Sequence, residues 1–160
     1  MRPPNLSSEK TPATREALAA SLLRAVRLFI AGSSLFGQRV AEKLALHPTD
    51  MQFLNLLDLL GPMTPGALAQ CSGLSSGGVT VVLDRLEKAG YVRRSAHPED
   101  RRSVLVSIVA SRQKRVNANY ESAQSQFHWV LKTFSDQELQ TVLRFFLAAG
   151  NAGPQIQQRR

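Results

Sequence analysis

The apolar pattern of this chain changes period at Gly90, and that change limits the folds open to it. Before Gly90 apolar residues recur at helical steps of three and four. Directly after it, residues 91–95 and 103–109 are rich in β-branched side chains and read as strands. The connection between them, Ala96-His97-Pro98-Glu99-Asp100-Arg101-Arg102, is turn-forming and charged. A charged β-hairpin set directly behind a helix is a wing, so the helices in front of Gly90 decide what the wing serves.

The first of these helices is long. Leu18, Leu22, Ala25, Phe29, Gly32, Phe36, Val40 and Leu44 form one stripe, and Leu23, Val26 and Ile30 widen it beyond what a monomer's single packing surface requires. His47-Pro48 is expected to end it, because the residue before a proline is pushed out of the helical region. Pro48 suits the first turn of the next helix, with Asp50 near its positive end. Phe53, Leu54, Leu56, Leu57, Leu59 and Leu60 make that helix apolar on most sides, as a buried central helix would be. Gly61-Pro62 stops it. Thr64-Pro65 opens a short helix through Cys71, and Ser72-Gly73 makes a tight turn. Ser75 then caps a helix with Val79, Val82, Leu83 and Leu86 on one face, and Gly90 supplies its left-handed stop. Two helices joined by a short Gly-containing turn are a helix-turn-helix candidate.

After the hairpin the helical period returns. Val116, Tyr120, Ala123, Phe127, Val130 or Leu131, and Phe134 form one stripe. Ser135-Asp136-Gln137-Glu138 is a capping box for a last helix through Leu139, Val142, Leu143, Phe146 and Leu147. The expected fold class is therefore mainly α with a small β component. A winged helix-turn-helix domain at 47–109, with a recognition helix at 75–89 and a wing at 91–109, is flanked by dimerisation helices at 12–46 and 110–150. Residues 151–160 read as a flexible tail. Long amphipathic helices at both termini have their simplest use in packing together and against a second copy, so a two-fold homodimer is expected.

Charge locates the partner. The chain has 160 residues and a formal charge of +8. Residues 85–115 hold 9 basic and 3 acidic side chains, whereas residues 47–84 hold 3 acidic ones and no basic one. A basic focus of that size is either a solvated face that keeps the protein soluble or a surface for a polyanionic partner, and the fold decides between them. At 43% hydrophobic residues the chain can bury a real core. No apolar run near 18 residues and no signal-type leader is read from the sequence, and the single Cys71 excludes an internal disulfide, so a cytoplasmic protein without membrane contact is expected. His47, His97 and His128 lack ligand-spaced partners, and no phosphate loop, serine elbow or paired carboxylates are found. No metal, cofactor or catalytic activity is expected.

Three runs carry a family resemblance: Gly73-Leu74-Ser75-Ser76-Gly77-Gly78-Val79-Thr80, then Leu83-Asp84-Arg85-Leu86-Glu87-Lys88-Ala89-Gly90-Tyr91-Val92-Arg93-Arg94, then His97-Pro98-Glu99-Asp100-Arg101-Arg102-Ser103-Val104-Leu105-Val106. Over residues 15–148 the chain resembles MarR-family transcription regulators. The resemblance implies double-stranded DNA as the partner, and a dimer that sets two recognition helices in successive major grooves of an inverted-repeat operator, about 34 to 36 Å apart. It also implies a repressor released by a small effector. In the wing it implies that Arg102 enters the minor groove, that Asp100 helps orient it, and that Arg101 takes phosphate or a neighbouring contact.

The recognition helix departs from the usual pattern because its exposed first half carries no charge. Ser75, Ser76, Gly77, Gly78, Thr80 and Val81 are the candidate DNA contacts there, by hydroxyl groups, a thymine-methyl contact and helix amides. Gly77 and Gly78 serve close approach to DNA, packing against residues 65–71, or both, since the two readings are compatible. Arg85 is either a phosphate contact or an ion pair bracing the wing, and Arg94 joins the DNA-binding set. Arg101 and Arg102 could instead pair with Glu99 and Asp100. Phe29, Phe36, Leu56, Tyr120 and Phe127 are candidates for an effector pocket or for plain core. Cys71 reads as a buried, inert thiol. Action by protein contact, or as a nonspecific architectural DNA binder, is the alternative function.

Overall fold

The computed structural model describes residues 14–100 and 102–152, and the chain divides into two compact units, one up to Arg39 and one from Val40 onward. Helix α1 (Arg15–Lys43) is capped by Thr14, whose hydroxyl accepts the Ala17 N–H at 3.2 Å. It ends before the proline is reached. Leu46 N–H bonds the Ala41 carbonyl at 2.9 Å and Ala45 N–H bonds Glu42 at 3.0 Å, with Ala45 at φ 55°. That is a Schellman stop with alanine in the left-handed slot. The expectation that His47-Pro48 ends α1 is corrected accordingly. His47 is extended, as its proline requires, and caps the next helix.

Leu18, Leu22, Leu23, Leu28, Ile30 and Leu35 of α1 are exposed. The expectation of no membrane-length apolar stretch is corrected too, since an 18-residue window of α1 has a mean hydropathy of 1.4. Alanines between the stripes supply the difference, and Arg24 and Arg27 are the charges between Ala17 and Gln38.

The second unit holds the remaining elements: α2 (Pro48–Leu60), α3 (Pro65–Ser72), α4 (Ser76–Lys88), β1 (Val92–Ala96), β2 (Val104–Ile108), α5 (Ala110–Ala118), α6 (Glu121–Leu131) and α7 (Asp136–Ala152). Its core is made by Met51, Phe53, Leu54 and Leu57 of α2, Leu68 of α3, and Val79, Val82, Leu83 and Leu86 of α4, closed by Tyr91, Val92 and Val106. Leu59 faces outward at 79% exposure, so α2 is apolar on fewer sides than its composition suggests. Strands β1 and β2 pair antiparallel from Val92↔Ile108 to Ala96↔Val104. Met63 adds a bridge on the other edge of β2, exchanging bonds of 3.0 and 2.8 Å with Val106. The Gly61-Pro62 stop thus doubles as a tie between the front of α3 and the hairpin.

The single stripe read from Val116 to Phe134 is two helices. Asn119 donates its side-chain amide to the Arg115 carbonyl at 2.8 Å, competing with the helical ladder, and the chain turns before Glu121. Ser135 caps α7 reciprocally: Glu138 accepts the Ser135 N–H at 2.8 Å, and the Ser135 hydroxyl accepts the Glu138 N–H at 3.4 Å. Helix α7 reaches Ala152, two residues into the expected tail; residues 153–160 of that tail lie outside the described residues. Trp129, Leu131, Leu143, Phe145 and Leu147 are exposed on α6 and α7.

Candidate nucleic-acid interface

Helices α3 and α4 meet at 112°. Gly73 makes that turn possible, since it sits at φ 69°, ψ 9° while its N–H bonds the Ala69 carbonyl at 2.9 Å. Ser75 follows in extended conformation, and its hydroxyl accepts the Gly78 N–H at 3.2 Å. The cap and the buried stripe of Val79, Val82, Leu83 and Leu86 together aim the opposite face outward. That face presents Ser76, Gly77, Thr80, Val81 and Asp84, all exposed. Thr80 donates its hydroxyl hydrogen to the Ser76 carbonyl at 3.0 Å, which leaves it an acceptor for any partner.

The two glycines are not required by internal packing. A Cβ on Gly77 would meet nothing within 4 Å, and one on Gly78 would meet Ser75 Oγ at 3.5 Å and Leu74 Cβ at 3.6 Å, ordinary contacts within the turn. Packing against residues 65–71 is therefore not their reason.

Two arginines of the basic segment have internal duties. Arg85 reaches across to α2, where its Nε lies 3.0 and 2.9 Å from the two carboxylate oxygens of Asp50 and its Nη2 also bonds Oδ1. The hydrogen bonds that Arg85 donates to Asp50 hold its guanidinium further above its already high pKa. Arg85 thus pairs with α2 rather than bracing the wing. Arg94 does the bracing from β1: its Nη2 lies 2.7 Å from Asp84 Oδ1, its Nη1 bonds Glu87, and its backbone N–H donates to Glu87 at 3.3 Å. Its pKa is raised as well, chiefly by the Asp84 hydrogen bond. Both residues position the reading elements. Asp50 as an anchor escaped sequence reading, although a carboxylate that ends up 1% exposed among leucines was the available signal.

Local hydrogen bonds tie the described residues of the wing tip together. Ser103 N–H bonds the Asp100 carbonyl at 2.9 Å, Glu99 N–H bonds His97 Nδ1 at 3.2 Å, and Asp100 Oδ1 accepts the Arg102 N–H at 3.0 Å. Asp100 therefore orients Arg102 through the main chain. Among the described residues no carboxylate stands within ion-pair distance of the exposed Arg102 guanidinium, so the reading in which it pairs with Glu99 or Asp100 is set aside. Arg101 lies outside the described residues. Arg93 donates to Ser107 Oγ at 3.3 Å from the outer side of the hairpin, and Arg112 covers the Tyr91 ring at 5.2 Å. Lys88, Lys114 and Arg115 are exposed.

The pocket candidates are divided between the two units. Phe29 and Phe36 belong to the first, exposed and half-buried respectively; Leu56 and Tyr120, both half-buried, and the exposed Phe127 belong to the second. Tyr120 donates its hydroxyl to Asn55 of α2 at 3.2 Å. Cys71 is half-buried rather than buried. Among the described residues no group of three or more His, Cys, Asp or Glu side chains is placed to hold a metal.

A capped helix aimed outward at 112° to its predecessor, with a basic hairpin tied to it through Arg94, defines a winged helix-turn-helix, the DNA-reading head of transcription regulators. The MarR family profile matches residues 46–104. The HTH-type transcriptional regulator YcgE of Bacillus subtilis is 37% identical over 111 residues, 69% of this chain and 72% of that protein. A MarR family protein of Bacillus stearothermophilus shares the fold at a TM-score of 0.67 and 23% identity, covering 88% of this chain and 98% of that one. A mutant MarR from E. coli, solved in complex with operator DNA, shares it at a TM-score of 0.54 and 21% identity, over 81% of this chain and 93% of that one. The chain belongs to the MarR family and is a DNA-binding regulator of transcription.

Proposed function

We propose that the protein is a homodimeric, sequence-specific repressor that binds an inverted-repeat operator in the cytoplasm and is released by a small ligand. The observation that carries the DNA reading is the division of labour among the basic and polar groups. Arg85 and Arg94 are paired with carboxylates inside the head, whereas among the described residues Arg102 has no ion-pair partner and Ser76, Gly77, Thr80 and Val81 of the outer face of α4 are exposed. Ser75, Ser76, Gly77, Gly78, Thr80 and Val81 then meet the major groove. Arg102, held by Asp100, reaches the minor groove, where a guanidinium is favoured by the negative potential of a narrow groove. Arg101 supplies phosphate contact beside it.

The exposed leucines of α1 and the exposed Trp129, Leu143, Phe145 and Leu147 support a dimer, because apolar area of that extent is stable in water only when covered. A ligand acts by preferring one of two spacings of the paired heads. Footprinting on the DNA around the protein's own gene tests the function. Protection of an inverted repeat with two-fold symmetry is the expected result. Protection without a unique site identifies an architectural binder, and no protection at all points to action by protein contact.

A further inference from the structure

The outer face of α4 offers few ways of reading a base. The side chains that recognise guanine and adenine by paired hydrogen bonds are Arg or Lys and Asn or Gln, and none of these occurs from Ser75 through Leu83. Thr80, the hydroxyl best placed on that face, gives its hydrogen to the Ser76 carbonyl. Besides the Ser76 hydroxyl and the Thr80 acceptor, what remains toward a partner is apolar. Val81 holds its isopropyl group in water at 60% exposure on a helix whose other valines are buried.

Gly77 lies one turn before Val81, on the same face. Nothing lies within 4 Å of where its Cβ would stand, so alanine would fit and would favour the helix. The glycine instead leaves a shallow notch beside the valine, open to the outside. Apolar side chains in the major groove find one complementary group, the 5-methyl of thymine. Lys88, further along α4, and Arg93 and Arg102 of the wing are exposed and suit a polyanion.

We propose that α4 selects thymine-bearing half-sites by seating thymine 5-methyl groups against Val81 in the notch left by Gly77. The inference rests on the DNA-binding reading above and specifies its chemistry. It implies an operator whose central major-groove positions are A·T pairs, read by shape and apolar contact.

The full-length protein is used to select its tightest duplex from a random-sequence pool. That duplex is then resynthesised with deoxyuridine in place of thymidine, which removes the methyl groups and keeps every hydrogen-bonding edge. Wild-type binding is expected to weaken about fourfold for each seated methyl lost, the worth of one buried methylene. Val81→Ala should bind the thymidine duplex more weakly and lose most of its sensitivity to deoxyuridine. Gly77→Ala should weaken binding while its thermal midpoint stays at or above the wild-type value, which separates a filled notch from a damaged fold. Equal affinity of the wild type for both duplexes overturns the inference and leaves DNA binding intact. A deoxyuridine effect undiminished in Val81→Ala also overturns it, by placing the methyl contacts elsewhere. Failure to select any duplex overturns the DNA-binding reading together with it.

Discussion

Arg85 of α4 closes a two-pronged contact on Asp50 of α2, with Nε at 3.0 and 2.9 Å from the carboxylate oxygens. Asp50 is 1% exposed and also accepts the His47 N–H at 3.2 Å. One buried carboxylate thereby joins the start of α2 to the far end of the reading helix. Removing the cation strands a buried anion, so Arg85→Ala should cost about 3 kcal/mol, the lower end for broken buried pairs because the arginine side is partly in water. Asp50→Asn keeps an acceptor for His47 and frees the guanidinium to solvent, and should cost about 1–2 kcal/mol. Urea denaturation of both variants checks the order; a harmless Arg85→Ala would show that the pair is not structural.

Salt dependence separates the arginines that brace from those that bind. If each subunit neutralises about 4 phosphates, log K for a dimer should fall with log salt at a slope near −7. Arg102→Ala should weaken binding to all sequences and make that slope about 2 units shallower, one for each wing. Arg94→Ala should leave the slope alone while costing about 1 kcal/mol of stability, since its partners Asp84 and Glu87 are in contact with solvent. Titration of the duplex at several salt concentrations reads both variants, and a reversed pattern would exchange their roles.

Two of the positive-φ positions carry opposite residues. Ala45 sits at φ 55° and Gly90 at φ 72°. Ala45→Gly should therefore stabilise the protein by about 0.5–1 kcal/mol, and Gly90→Ala should destabilise it by about 1–2 kcal/mol. Thermal denaturation of the two variants should move in opposite directions.

The cap of α7 carries a pH signature. The Ser135 hydroxyl, followed by its backbone N–H, holds the Glu138 carboxyl below its ordinary value of 4.5. A lowered folded-state pKa contributes stability that is present above the unfolded value and is lost as pH falls through the folded one. The stability advantage of wild type over Glu138→Gln should hold near neutrality and shrink below about pH 4.5. An advantage that grows with acid would contradict the cap geometry.

Local signals carried much of this protein. Steps of three and four, Ser75 and Ser135 as caps, Pro65 at a first turn and Gly90 at a stop specify backbone choices within one or two turns, so α1, α4, the hairpin and α7 are readable from the residues alone. The wing run from His97 to Val106 was readable for the same reason. Partners distant in sequence were not. Arg85 finds Asp50 thirty-five positions away and Met63 pairs with Val106, because packing of α2 against α4 and of the hairpin against α3 brings them together. Periodicity could not separate α5 from α6, since the stripe continues through the break that Asn119 makes with its own side chain. Composition placed the charge between Arg85 and Arg115. Only the tertiary structure decided which of those charges is already neutralised inside the head, because an ion pair forms where folding brings two groups together, whatever their separation along the chain.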